Sequence, residues 1–99
     1  MNKLNLKIKS IALEDMEKIA DFIAKDNKTA SIKILKLFYK AFNNLCKHPQ
    51  MGNIRKDFTY KNVRFLKLHK HYIIVYNFDD ENIYILRILS NYQNICEIL

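Results

Sequence analysis

Glycine and proline are nearly absent: the 99 residues contain one of each, Gly52 and Pro49. A single glycine excludes a GxGxxG or other phosphate-cradling loop, which needs several positions of close backbone approach. The two cysteines, Cys46 and Cys96, match no zinc or redox spacing, and both read as small buried apolar residues. Long apolar runs are missing as well. From Met1 to Lys9, charged or amide residues alternate with Leu4, Leu6 and Ile8, so neither a signal peptide nor a membrane span is expected there. The expected location is the cytoplasm, with no membrane partner.

Acidic residues are scarce in the middle of the chain. Between Lys33 and His71, ten Lys and Arg face one acid, Asp57, a net +9, so the remainder carries −2 of the total +7. A basic surface of this kind suits nucleic acid, a ribosome or an acidic protein partner. The histidines His48, His69 and His71 have no acid or cysteine at ligand spacing, so no metal site and no cofactor are expected. The paired carboxylates Glu14-Asp15 and Asp79-Asp80-Glu81 read as a helix-opening turn and a hairpin tip.

What is present points to a folded chain. Nearly half the residues are hydrophobic, with six Phe and six Tyr, and the length suits one domain over residues 1–99. Leu4, Leu6 and Ile8 have strand period, and Ser10 offers a cap for a helix over about 11–25 with Leu13, Met16, Ile19, Ala20 and Ile23 on one face. After the polar break Asp26-Asn27-Lys28, a longer helix carries Ile34, Leu37, Phe38, Ala41, Phe42 and Leu45 inward and Lys33, Lys36 and Lys40 outward. Pro49 stops it, and Gly52 is expected to supply a permissive backbone for the turn. Three strands follow, Val63 to His69, Tyr72 to Phe78 and Ile83 to Leu89, the middle one apolar on both faces. Lys70-His71 and Asp79 to Asn82 read as hairpin turns. The expected class is α+β: a small antiparallel-rich sheet with an N-terminal αα-hairpin on one face, in the order β-α-α-β-β-β.

This combination resembles a family. The stretch from Ala12 to Ala24, the helix ending Ala41 to Lys47, the His48-Pro49-x-x-Gly52 turn and the strands around Val63-Arg64-Phe65, Tyr72 to Tyr76 and Ile83 to Leu89 are similar to the ParE branch of the RelE/ParE toxins of bacterial type II toxin–antitoxin systems. The resemblance covers nearly the whole chain. It implies a toxin held inactive by a cognate antitoxin, whose wrapping C-terminal segment is commonly acidic in this family. Arg55, Lys56, Arg64, Lys67, Lys70 and Arg87 are the expected antitoxin- or target-binding residues, with Arg55 and Lys56 on a basic loop after the turn.

The resemblance leaves three activities open. ParE-like members inhibit DNA gyrase without cleaving a substrate. RelE-like members are ribosome-dependent mRNA endonucleases, and in that case Arg64, Arg87 and Tyr92, supported by Lys67 or Lys70, would do the cleavage chemistry. The third reading is an inactive homologue kept as an antitoxin-binding partner. Ile73 stands where many of the nucleases carry an arginine before the Val-Tyr pair, which favours the gyrase inhibitor.

Overall fold

The computed structural model describes residues 3–55, 62–69 and 71–90. The chain opens with a short strand β1 (Asn5–Ile8), followed by helices α1 (Ser10–Ala24) and α2 (Lys28–Lys47). Strands β2 (Arg64–Leu68), β3 (Tyr72–Phe78) and β4 (Asn82–Ser90) come next. The four strands form one sheet in the order β1-β4-β3-β2, antiparallel except that β1 runs parallel to β4. The expected α+β class and element order hold, and the sheet is mixed because the helical hairpin returns the chain to the far edge.

The helices cover one face of that sheet. Ala12 and Met16 from α1, Phe38, Phe42 and Leu45 from α2, and Ile74, Tyr76, Ile83, Ile85 and Ile88 from the strands make the main core. On the opposite face Val63, Phe65, Ile73, Val75 and Leu89 form a second, smaller cluster. The run Ile73 to Tyr76 is buried at every position, as expected of a central strand that feeds both clusters.

Local chemistry explains the ends of the elements. Ser10 does not cap α1. Lys9 holds the N-cap position without a side-chain bond, its N–H paired to the Ile85 carbonyl, so the helix begins one residue earlier than the expected cap allows. The polar break before α2 contains the true cap: the Asn27 side chain accepts from the Ala30 N–H at 3.0 Å. Ser31, buried where the helices meet, donates to the Ala20 carbonyl at 2.8 Å. At the other end of α2, His48 leaves the helical region with φ −135° and ψ 70°, in keeping with the disfavoured α conformation before proline, and gives the last bond to the Asn44 carbonyl.

The hairpins are equally specific. Asp79 accepts from the N–H groups of Glu81 and Asn82 and from the Tyr84 hydroxyl, and the Asn82 bond foremost holds its carboxyl below the usual range. Between β2 and β3, His69 adopts a left-handed backbone with φ 58°. Cys46 lies reduced in the core, where burial pushes its thiol pKa up. Cys96 is outside the described residues.

Candidate partner-binding surface

Strand register places Arg64 directly opposite Tyr76, so both side chains leave the same face of the sheet, beneath the turn that ends α2. The Tyr76 hydroxyl accepts from the Gly52 N–H and donates to the Pro49 carbonyl, both at 2.7 Å. Arg64 Nη1 donates to the Gly52 carbonyl at 2.9 Å and, more weakly, to that of Gln50 at 3.4 Å. The turn is thereby tied down at three of its residues. Gly52 has no positive φ, so the expected permissive backbone is not the reason for glycine. Space is: a Cβ there would lie 2.6 Å from Tyr76 Oη and 3.0 Å from the Phe65 carbonyl oxygen. Beyond the turn, Asn53 exchanges two backbone bonds with Phe65 on the outer edge of β2.

A second arginine is held differently. β4 carries a bulge at Leu86, since Val75 pairs with Arg87 while Tyr76 pairs with Ile85. β1 has ended by this point, its last pair being Ile8 with Ile85. The exposed edge is met by Asp15 of α1. Its carboxylate receives Arg87 Nε at 2.8 Å, Arg87 Nη2 at 3.0 Å and the Ile88 N–H at 3.0 Å. Asp15 does not lie in a helix-opening turn as expected, because α1 already begins at Ser10 and its first turn holds no acid; it instead seals a strand edge and takes both prongs of the Arg87 fork. That pairing holds the guanidinium more firmly protonated than usual.

The helical face shows a feature that the sequence reading passed over. Ile32 and Tyr39, seven residues apart on α2, remain 56% and 45% exposed, and Leu13 on α1 remains 40% exposed. They border a groove of about 570 Å³ along α2, which also contains Lys36, Lys40 and Lys47, and a second of about 290 Å³ between the helices at Leu13, Leu35 and Tyr39. The signal was available: two large apolar residues at i and i+7 lie off the buried stripe of α2, where a surface helix ordinarily carries polar side chains.

A family model described as the ParE toxin of the type II toxin–antitoxin system, parDE, matches residues 6–95. The chain belongs to the ParE toxin family. A solved structure described as the chromosomal ParDE TA system from P. aeruginosa superposes with a TM-score of 0.72 at 21% identity, covering 89% of this chain and 96% of that one, and it supports the fold. A search of curated proteins gave no match. Membership carries with it an antitoxin partner, since the family is one half of a two-component system.

Within this ParE-type toxin the candidate residues are dispersed. Arg64 on β2 and Arg87 on β4 are separated by β3, about 10 Å of sheet at the usual strand spacing. Lys67 is exposed but three positions along β2 from Arg64, which puts it on the opposite face, with Phe65. Arg55 is half-buried just after the turn. Lys56, Lys70 and Tyr92 lie outside the described residues. Among the described residues no group of three His, Cys, Asp or Glu could hold a metal ion, and no helix is long and apolar enough to cross a membrane.

Proposed function

We propose that this ParE-type toxin acts by binding DNA gyrase and not by cleaving RNA, and that its antitoxin neutralises it by covering the α1–α2 face and the basic residues beside it. The observation that carries the non-enzymatic reading is the Asp15–Arg87 pair. A guanidinium whose Nε and Nη2 already grip an internal carboxylate has its side-on edge occupied and its charge largely compensated, and freeing that edge for a cleaving phosphodiester would displace Asp15 and orphan the Ile88 N–H. The antitoxin part is supported by exposed Ile32 and Tyr39 flanked by Lys36, Lys40 and Lys47, a surface suited to an acidic amphipathic segment in the cytoplasm.

Induction of the chain alone in a bacterial host, with DNA and protein synthesis pulse-labelled separately within minutes, tests the target. DNA synthesis should stop first, and purified chain should inhibit supercoiling by purified gyrase. Translation stopping first, with cleaved transcripts, would replace this reading with the endonuclease. Harmless expression would leave the antitoxin-binding homologue.

A further inference from the structure

Arg64 and Arg87 differ in what their guanidinium groups have left to give. Arg87 has committed Nε and Nη2 to Asp15. Arg64 has committed only Nη1, to the Gly52 and Gln50 carbonyls, and its plane lies 5.7 Å over the Phe78 ring. Among the described residues, none accepts from its Nε–Nη2 edge, the edge that receives a carboxylate with two parallel bonds. The side chain is thus fixed at one end and stacked on one side, with no acceptor among the described residues at its fork.

Arg64 lines a small depression of about 100 Å³ together with Ile54, Asn62, Asn77 and Phe78. We infer that this depression takes a single Asp or Glu side chain from an acidic segment of the antitoxin, gripped side-on by Arg64; the inference rests on the antitoxin reading above. The dimensions suit a carboxylate with its methylene. Ile54 and Phe78 supply apolar lining for the stem, and Asn62 and Asn77 supply amides. Because Arg64 is half-buried and already immobilised by the turn, little side-chain entropy remains to be lost on binding. A nucleic-acid phosphate suits the place less well. A strand of RNA needs successive cations along its backbone, and Lys67, the next cation on β2, leaves from the other face of the sheet.

The same chain already contains the proposed geometry once, in Asp15 on Arg87. The proposal is that a partner supplies to Arg64 what α1 supplies to Arg87.

The test is an arginine Nε–H NMR titration of the full ¹⁵N-labelled chain with three probes: the capped peptide Ac-Asp-Glu-Asp-Glu-NH2, its amide counterpart Ac-Asn-Gln-Asn-Gln-NH2, and a uridylate tetranucleotide. The acidic peptide should shift the Arg64 resonance saturably and leave that of Arg87 in place. The amide peptide should bind at least ~10-fold more weakly, the scale of one charge-assisted pair. Arg64→Lys, which keeps the charge and loses the fork, should lower the peptide's affinity by a similar factor. Should that variant fail to fold without the Gly52 contact, the wild-type titration decides alone. No saturable shift at Arg64, equal binding of the amide peptide, or tighter binding of the tetranucleotide overturns the proposal. Growth rescue by co-expressed antitoxin is scored separately. A rescued chain with a silent Arg64 overturns only the pocket, and a chain that is not rescued overturns the reading beneath it.

Discussion

The Tyr76 hydroxyl sits 2.7 Å from both the Gly52 amide nitrogen and the Pro49 carbonyl oxygen, joining the centre of the sheet to the turn that closes α2. Tyr76→Phe removes both bonds and leaves the buried Gly52 N–H without a partner, a loss of about 2–3 kcal/mol. Gly52→Ala drives a methyl into the same hydroxyl and the Phe65 carbonyl, an overpacking cost of about 1–3 kcal/mol. Urea unfolding of the two variants and their combination checks the coupling. Gly52→Ala should cost somewhat less in the Tyr76→Phe background, because the hydroxyl has gone and the ring, whose Cε1 would still lie 2.7 Å from the new Cβ, is no longer tied to the turn and can shift.

The same tyrosine predicts an alkaline transition. Burial pushes its pKa up, opposed by the Gly52 N–H bond and the nearby Arg64 charge. A group whose folded value is raised contributes stability that is complete below its unfolded value, 10.0, and is lost as pH rises through the folded value. Phenolate absorbance at 295 nm should therefore show one tyrosine ionising late, together with loss of structure. Tyr76→Phe should remove that late step. A single early transition for all tyrosines would contradict it.

Asp15 and Arg87 make a testable pair 72 residues apart in sequence. With side chains only 11% and 24% exposed, the cost of Asp15→Asn should approach that of breaking a buried pair, about 2–3 kcal/mol, since the guanidinium stays behind uncompensated. Arg87→Lys keeps a charge but loses the fork, and should cost about 1 kcal/mol. If the pair is structural, denaturation midpoints shift in this order. Loss of toxicity without loss of stability would instead make Arg87 part of the target-binding surface.

Much of this was legible in residue spacing. The apolar stripe of α2 follows from a period of 3.6, and the four consecutive buried positions of β3 from an unbroken apolar run. The dispersal of Arg64 and Lys67 was legible too, because positions three apart on a strand cannot share a face. The parallel seating of β1 beside β4 and the meeting of Asp15 with Arg87 were not, since both depend on how the helical hairpin returns across the sheet. Gly52 was recognised as a turn residue for a reason the structure replaces. Its neighbour Tyr76 is 24 residues away, and no local pattern records a clash that only the fold creates.

Core and surface should separate cleanly on the sheet. Ile74 is fully buried in the main core, and Ile74→Asp places an unpaired charge there, costing several kcal/mol against a total stability of about 5–15. Lys67 is exposed, and Lys67→Glu should leave the unfolding midpoint within about 0.5 kcal/mol of wild type. Circular dichroism melts distinguish the two. Equal unfolding by both would mean that Lys67 is structural.

The helical face gives the most direct reading of antitoxin binding. Lys36 and Lys40 are exposed on α2, one turn apart beside Tyr39, and no core residue depends on them. Reversing both to Glu should leave stability nearly unchanged while lowering antitoxin affinity by tenfold or more, on the order of 1.4 kcal/mol. Most of that difference should disappear at high salt, as expected for charges screened over about 10 Å at 0.1 M. Tyr39→Ala on the same face should weaken binding by a comparable amount with no salt dependence, because what it removes is apolar area. If the charge reversal and the tyrosine truncation both leave antitoxin affinity intact, the antitoxin does not cover α2, and the exposed Ile32 and Tyr39 face some other partner.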